Sequence, residues 1–353
     1  MIILNESIKD EEIIDSKQRK EKITKEELLE KEFNERIKSY DEIQKTDVEW
    51  IWFPYIPKGK IIFVLGDPGS GKTFFSTYLA SVISKGGKFY NMEENIEESV
   101  VVLQNGEDGK SDTIKNRLIM LNANDKNILF IDETKRQISL KDYDLIEYIL
   151  KTRKPLMIIF DPTTLYIGRK VDMNSANEVR NILNPIVPLL EKYGCTLLLV
   201  LHMNKSANKS LYKALGSIDF VAIARSVLTI TTNPINNKER LLIHTKASLG
   251  IKGDTLAFEI NNNGIEWLGV RNLDEDTLEE DSMFKKDQAK LFILEFLQDD
   301  KKSSEELMNT ALEKGFSQKT FENARSELKK EDKIDCFKDS ESNKYYWHIQ
   351  YPF

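Results

Sequence analysis

The chain has 353 residues, with 51 lysines and arginines against 58 aspartates and glutamates, a net charge of −7. That length exceeds a typical single core and predicts two domains with an added terminal segment, while the acidic balance argues against a uniformly basic nucleic-acid-binding surface. With 40% hydrophobic and 31% charged residues, no apolar run near the roughly 20 residues that span a bilayer, and no basic flank on the start Met1-Ile2-Ile3-Leu4-Asn5-Glu6, the expected product is a soluble globular protein of the cytoplasm.

Residues 1–47 are dense in Glu and Lys, and no Gly or Pro occurs before Pro54. Ile23, Leu28, Leu29, Phe33 and Ile37 fall at approximate helical spacing, which predicts a charged extension of one or two exposed helices. The aromatic and proline-rich lead Trp50-Ile51-Trp52-Phe53-Pro54-Tyr55-Ile56-Pro57 follows. It is expected to pack at the edge of the core.

From 61 to about 270, short β-branched runs alternate with helical patterns, the signature of a mainly parallel sheet covered on both faces. Strands are predicted at 61–65, 100–104, 128–132, 156–160 and 196–200, each apolar throughout as doubly buried strands are. Helices are predicted at 71–85, 110–122, 141–152 and 174–193. Runs at 226–231, 240–246 and 255–260, with a turn at Asn236-Asn237, read as antiparallel additions to one edge.

The decisive stretch is Gly66-Asp67-Pro68-Gly69-Ser70-Gly71-Lys72-Thr73, entered from Ile61-Ile62-Phe63-Val64-Leu65 and followed by Phe74. It matches G-x-x-x-x-G-K-[ST] between strand and helix, a phosphate-binding loop. Backbone N–H groups turn inward around a β-phosphate, Lys72 reaches the β/γ oxygens, and the Thr73 hydroxyl ligates Mg²⁺. Hydrolysis also needs an oriented water and a stabilised transition state. Asp161, ending Leu156-Met157-Ile158-Ile159-Phe160, takes the Walker B position as second magnesium ligand. Glu107, after Val100-Val101-Val102-Leu103-Gln104, is the candidate general base. His202 closes Thr196-Leu197-Leu198-Leu199-Val200-Leu201 and is one of only three histidines; there it could sense a γ-phosphate and relay it. The relay would reach a segment, Lys192 to Ile218, that lacks Asp and Glu but carries Lys205, Lys209 and Lys213.

After an acidic linker at 273–284, helices fit 286–298, 304–314 and 318–330, with Ser303-x-x-Glu306 readable as a capping box and Gly315 as a cap. Strand-like Ile334-Asp335-Cys336-Phe337 and Tyr345-Tyr346-Trp347-His348-Ile349 complete a winged-helix pattern over 285–353, which binds DNA or protein. Lys319, Asn323 and Arg325 lie on its third helix, diluted by Glu322, Glu327 and Glu331. Cys195 and Cys336 read as reduced thiols.

Across 48–272 these residues resemble the RepA-like replicative helicases of plasmids and phages, within the RecA-like hexameric ATPases. The resemblance rests on Trp50-Ile51-Trp52, Ile56-Pro57-Lys58-Gly59-Lys60, Gly106-Glu107-Asp108, Asp161, Asp172-x-Asn174, His202-Met203-Asn204-Lys205, Gly216-Ser217 and Ala224-Arg225. It implies an α/β, RecA-like P-loop ATPase core using ATP and Mg²⁺, in which Glu107 activates water, Asp161 coordinates magnesium and His202 contacts the γ-phosphate. Arg225 and Lys246 would reach into a neighbouring subunit's site, and Arg117 matches a further family arginine. The implied assembly is a ring, commonly a hexamer. Its channel loops, with Arg169, Lys170, Lys205, Lys209 and Lys213, would grip single-stranded DNA; they carry few aromatics, so backbone contacts would dominate. A replication initiator or primase is an implied partner. The resulting expectation is an ATP-dependent DNA helicase or translocase of a plasmid, phage or other mobile element. The alternative is an ATP-gated DNA-binding or scaffold ATPase in recombination, helicase loading or defence.

Overall fold

The computed structural model describes residues 25–168, 171, 175–202, 222–234, 236–273, 275–298, 300–340 and 342–350. The chain divides into two compact units, Met1–Asp47 and Val48–Phe353. In the first, helix α1 (Lys25–Arg36) leaves Leu29 and Phe33 more than half exposed. Ile23 lies outside the described residues.

In the second unit, β1 (Trp50–Trp52) and β2 (Ile56–Pro57) pair antiparallel. This lead enters the core rather than skirting its edge. Trp52 is fully buried, stacks on Phe89 at 5.2 Å, and its indole N–H donates to the Tyr90 carbonyl at 3.0 Å. A satisfied N–H lets the large ring be buried without an unpaired donor.

Chain order then runs β3 (Ile61–Gly66), α2 (Lys72–Ser84), β4 (Val101–Asn105), α3 (Lys115–Met120), β5 (Ile128–Leu129), α4 (Tyr143–Arg153), β6 (Met157–Asp161), α5 (Ala176–Leu183), α6 (Val187–Tyr193), β7 (Thr196–His202), β8 (Ser226–Thr232), β9 (Arg240–Ala247), β10 (Thr255–Asn261) and β11 (Gly264–Arg271). Among the described residues these strands form one nine-stranded sheet, ordered β11-β10-β9-β8-β3-β7-β6-β4-β5. Pairings from β8 to β5 are parallel, and those from β8 to β11 antiparallel. Alternation along β3 divides the core. Ile62 and Val64 pack with Phe75, Leu79 and Ile83 of α2, whereas Ile61, Phe63 and Leu65 pack with Ile146, Leu183 and Leu190 beneath α4, α5 and α6. Each such side chain contributes roughly 1.5–3 kcal/mol by leaving water, so the register of the central strands is pinned from both sides.

Three elements depart from the pattern. The helix expected over 174–193 is two, interrupted at Pro185, which has no N–H to continue the ladder. The strand expected at 128–132 is only two residues long. An eleventh strand, β11, continues the antiparallel flank through a turn at Gly264, where φ is 109°.

Beyond this sheet lie α7 (Glu275–Phe296), β12 (Lys302–Ser303), α8 (Ser304–Glu313), α9 (Gln318–Lys330), β13 (Ile334–Lys338) and β14 (Tyr345–Ile349). The acidic stretch expected as a linker is helical from Glu275. Ala289, Ile293, Leu307, Phe321, Leu328 and Ile334 form a separate core under a small sheet ordered β12-β14-β13. Ser303 and Ser317 cap α8 and α9 through hydroxyls that accept from the N–H groups of Glu306 and Thr320, each at 3.1 Å.

Candidate nucleotide site

Parallel strands deliver their carboxyl ends to one edge of the sheet. Gly66 pairs with His202, and Asn105 with Asp161, so four strand ends meet there. Between β3 and α2 the loop turns through Gly69 (φ 78°) and Gly71 (φ 100°), the latter capping α2. A Cβ on Gly66 would stand 2.3 Å from the Ile230 carbonyl oxygen, so only glycine lets the loop leave the strand here.

Lys72 is buried, and its ammonium donates to the carbonyls of Gly66 at 2.9 Å and Asp67 at 2.8 Å. Burial lowers its pKa, while the charges of Asp161, Asp67 and Glu107 oppose the shift. Asp161 is buried and accepts from Ser76 Oγ at 3.1 Å. Burial raises its carboxyl above the ordinary range; hydrogen bonds from Thr73 and Ser76 and the charge of Lys72 pull the other way, and Glu107 adds to the rise. Ser76 was not singled out from the sequence. Its signal was available: it lies three residues after Thr73, on the same helical face.

Glu107 is presented on a short turn in which the Asn105 side-chain oxygen accepts from the N–H groups of Glu107 at 3.1 Å and Asp108 at 2.7 Å. The Gly106 N–H donates to the Asp161 carbonyl at 3.0 Å, tying this turn to β6. Exposed Glu107 approaches His202 Nε2 at 3.6 Å. Asn105 is thus a positioning residue that the sequence reading passed over, although Asn at a strand end is a turn signal. Arg117 pairs with Asp108, the neighbour of Glu107, at 2.6 Å. Lys319 of α9 stands 3.0 Å from Asp67 in an exposed pair.

The structure therefore brings Gly66, Asp67, Pro68, Gly69, Ser70, Gly71, Lys72, Thr73 and Phe74 together with Glu107, Asp161 and His202. Arg225 and Lys246 lie elsewhere. The Arg225 N–H donates to the Ile61 carbonyl at 3.0 Å, at the opposite end of β3 from Gly66; five residues of strand separate the two by roughly 16 Å. Lys246 Nζ donates to the Ala224 carbonyl at 2.9 Å, and burial, then the neighbouring charge of Arg225, lowers its pKa. Arg169, Lys170, Lys205, Lys209 and Lys213 lie outside the described residues.

The loop suits a phosphate group. Among the described residues, Ser70 Oγ is buried without a partner, a Cβ on Gly69 would meet open space, and the Lys72 ammonium holds loop carbonyls that an anion can replace. Thr73 and Asp161 would hold Mg²⁺. A family model described as an AAA domain matches residues 26–208. The chain belongs to the AAA domain family. Its site is accordingly that of an ATP-hydrolysing enzyme, with magnesium the usual companion of the nucleotide. Among solved structures, an ATPase domain is similar at 13% identity and a TM-score of 0.47, over 70% of this chain and 99% of that one, too distant a likeness to inform function. No curated protein matches the chain. Among the described residues, no helix is long and apolar enough to cross a membrane.

Proposed function

We propose that this chain is an ATP-driven motor on single-stranded DNA, a helicase or translocase of the RepA-like kind that works as a ring, in the replication of a plasmid, phage or other mobile element. The reading is carried by the split between the two ends of β3: phosphate loop, carboxylates and His202 at one, Arg225 and Lys246 at the other. A cation that completes the transition state has to come from somewhere, and within one subunit these two are out of reach. Supplied across a head-to-tail interface, Arg225 neutralises charge on the phosphoryl oxygens of the next subunit, with Lys246 beside it, so turnover requires assembly. In this scheme Glu107 orients and deprotonates the attacking water, and His202, in contact with Glu107, reports the state of the site to the segment that follows it. That segment, with Lys205, Lys209 and Lys213, together with Arg169 and Lys170, would track the phosphates of a single strand. Three helices with a small antiparallel sheet support a winged-helix reading of the C-terminal region, suited to meet DNA or a replication partner such as an initiator or primase.

The test is ATP hydrolysis by wild type, Glu107→Gln and Arg225→Ala, with and without single-stranded DNA, with oligomer mass recorded in the same samples. Strand-stimulated turnover by a ring, lost in both variants, is expected and leads to a strand-displacement assay. A monomer whose activity survives Arg225→Ala, or turnover indifferent to single strands, would overturn the proposal.

A further inference from the structure

The outer face of the small C-terminal sheet has no counterpart in this scheme. Alternation along β13 and β14 sorts their side chains. Ile334, Trp347 and Ile349 pack toward the helices. Phe337 pairs with Tyr346 and Asp335 with His348, so these four share the other face. There Phe337 and Tyr346 stack at 6.2 Å with an interplanar angle of 24°, and the His348 ring lies 5.7 Å from Phe337. Phe337 remains 39% exposed. The ammonium of Lys301 stands 5.3 Å from the Phe337 centroid and 5.1 Å from that of Tyr346. At the tip, Tyr345 is 54% exposed with Lys338 6.0 Å from its ring. Cross-strand pairing accounts for one aromatic pair on a hairpin. It requires neither a third ring nor a cation poised over the other two.

The neighbouring helix offers less. The Arg325 guanidinium of α9 is turned inward, 4.6 Å over Trp347 and 5.3 Å over Phe321. Lys319 pairs with Asp67, and Lys329 with Asp335 at 3.0 Å. The last pair also occupies the Asp335 carboxylate on the aromatic face. Glu327 is spent on Lys286 and Lys290 of α7. Three cations of α9 are thus engaged, whereas Phe337 and Lys301 are exposed and the Tyr346 and His348 rings partly so.

We propose that Phe337, Tyr346 and His348, with Lys301 above them, form a stacking site for single-stranded nucleic acid. Unpaired bases present π-faces to such rings whatever their sequence, and a lysine on a flexible stem moves from ring to phosphate as the base arrives. The proposal uses none of the channel lysines and does not rest on the motor reading.

The test uses the nucleotide-free full chain and three labelled probes, oligothymidine, oligouridine and a DNA duplex, each about 20 nucleotides long, a span of one or a few stacking modules. Phe337→Ala and Lys301→Ala are expected to weaken single-strand binding, the first by roughly tenfold, while Phe337→Trp retains it. Iodouracil in the strand should photocrosslink to the 334–349 peptide, and the thymidine and uridine arms separate DNA from RNA. Basal ATP hydrolysis stays at the wild-type rate in these variants and reports intact folding. Unchanged affinity in both alanine variants with crosslinks confined to other peptides, absence of single-strand binding, or tighter duplex binding insensitive to Phe337 would each overturn the proposal. Failure of strand-stimulated hydrolysis with the Phe337 crosslink retained would count against the motor alone.

Discussion

At one end of the central strands, β3, β4, β6 and β7 finish in Gly66, Asn105, Asp161 and His202, side by side along the sheet edge. At the other end, the Lys246 ammonium donates to the carbonyls of Ala222 and Ala224, close enough to the exposed Arg225 to feel its charge. The first end holds one buried cation, Lys72, and the second brings two, Arg225 and Lys246, about a strand's length away. In the proposed ring the two ends supply the two halves of one reaction, and nucleotide would be hydrolysed where two copies meet.

Two substitutions at the loop end give the largest expected losses. Lys72→Ala should lower turnover by about a thousandfold, since it removes the charge that cradles the β/γ oxygens. Glu107→Gln should lower it by about a hundredfold or more while leaving nucleotide affinity near wild type, because the amide keeps the shape and loses the base. Steady-state hydrolysis and equilibrium nucleotide binding check both. A Glu107→Gln chain that turns over normally would move the general base elsewhere, and Asp108, already held by Arg117, is the nearest other carboxylate of that turn.

Mixing sharpens the comparison further. Equal amounts of Lys72→Ala and Arg225→Ala should recover about a quarter of the wild-type rate, the statistical share of interfaces that join an intact loop end to an intact cation end. Lys72→Ala with Glu107→Gln should recover nothing, because both lesions fall at the same end. Recovery in neither mixture, with assembly shown by mass, would mean that Arg225 does not act across subunits.

Much of this division was legible in the sequence because buried parallel strands are written as apolar runs, and glycines with Lys72 and Thr73 leave little freedom to the turn between β3 and α2. Asp161 and His202 followed from their place at the ends of such runs. What escaped notice depends on geometry rather than run length. Ser76 and Asn105 act through one hydrogen bond and one turn, which a residue type alone does not announce. β11 was missed because Gly264 and Gly269 interrupt its alternation, while its pairing with β10 supplies the order that local propensity lacks. The break at Pro185 was written plainly and overlooked beneath a strong helical pattern. That Arg225 lies at the far end of β3 could not be read from the chain, since it follows from the parallel register of β8 with β3.

The smallest expected effect concerns how the cation end is held. His244 on β9 is buried; its Nδ1 accepts from the Gly253 N–H at 2.9 Å, so Nε2 carries the proton and faces Ser226 Oγ at 3.0 Å. Ser226 Oγ in turn donates to the Tyr55 carbonyl at 2.6 Å, one residue along from Arg225. Protonating Nδ1 would break the bond from Gly253 and leave a charge in the core, and burial, with Lys252 nearby, pushes the imidazole down from 6.5 to about 4. Above about pH 6.5 the ring is neutral in both folded and unfolded chains, and its full contribution to stability is present. As pH falls from there to about 4, the unfolded chain takes up a proton that the folded one refuses, and roughly 3 kcal/mol is lost. Urea midpoints of wild type and His244→Gln, compared between about pH 7.5 and 4.5, isolate this contribution from the carboxylates common to both, since glutamine can accept and donate without titrating. Wild type should lose more stability over that interval than the variant, and the antiparallel flank around Arg225 should open first by hydrogen exchange, ahead of β3 and β6. Identical pH dependence in the two proteins would mean that His244 takes up its proton as readily in the fold as in the unfolded chain, and the chain of bonds from Gly253 to Tyr55 would then not be what fixes the Arg225 end.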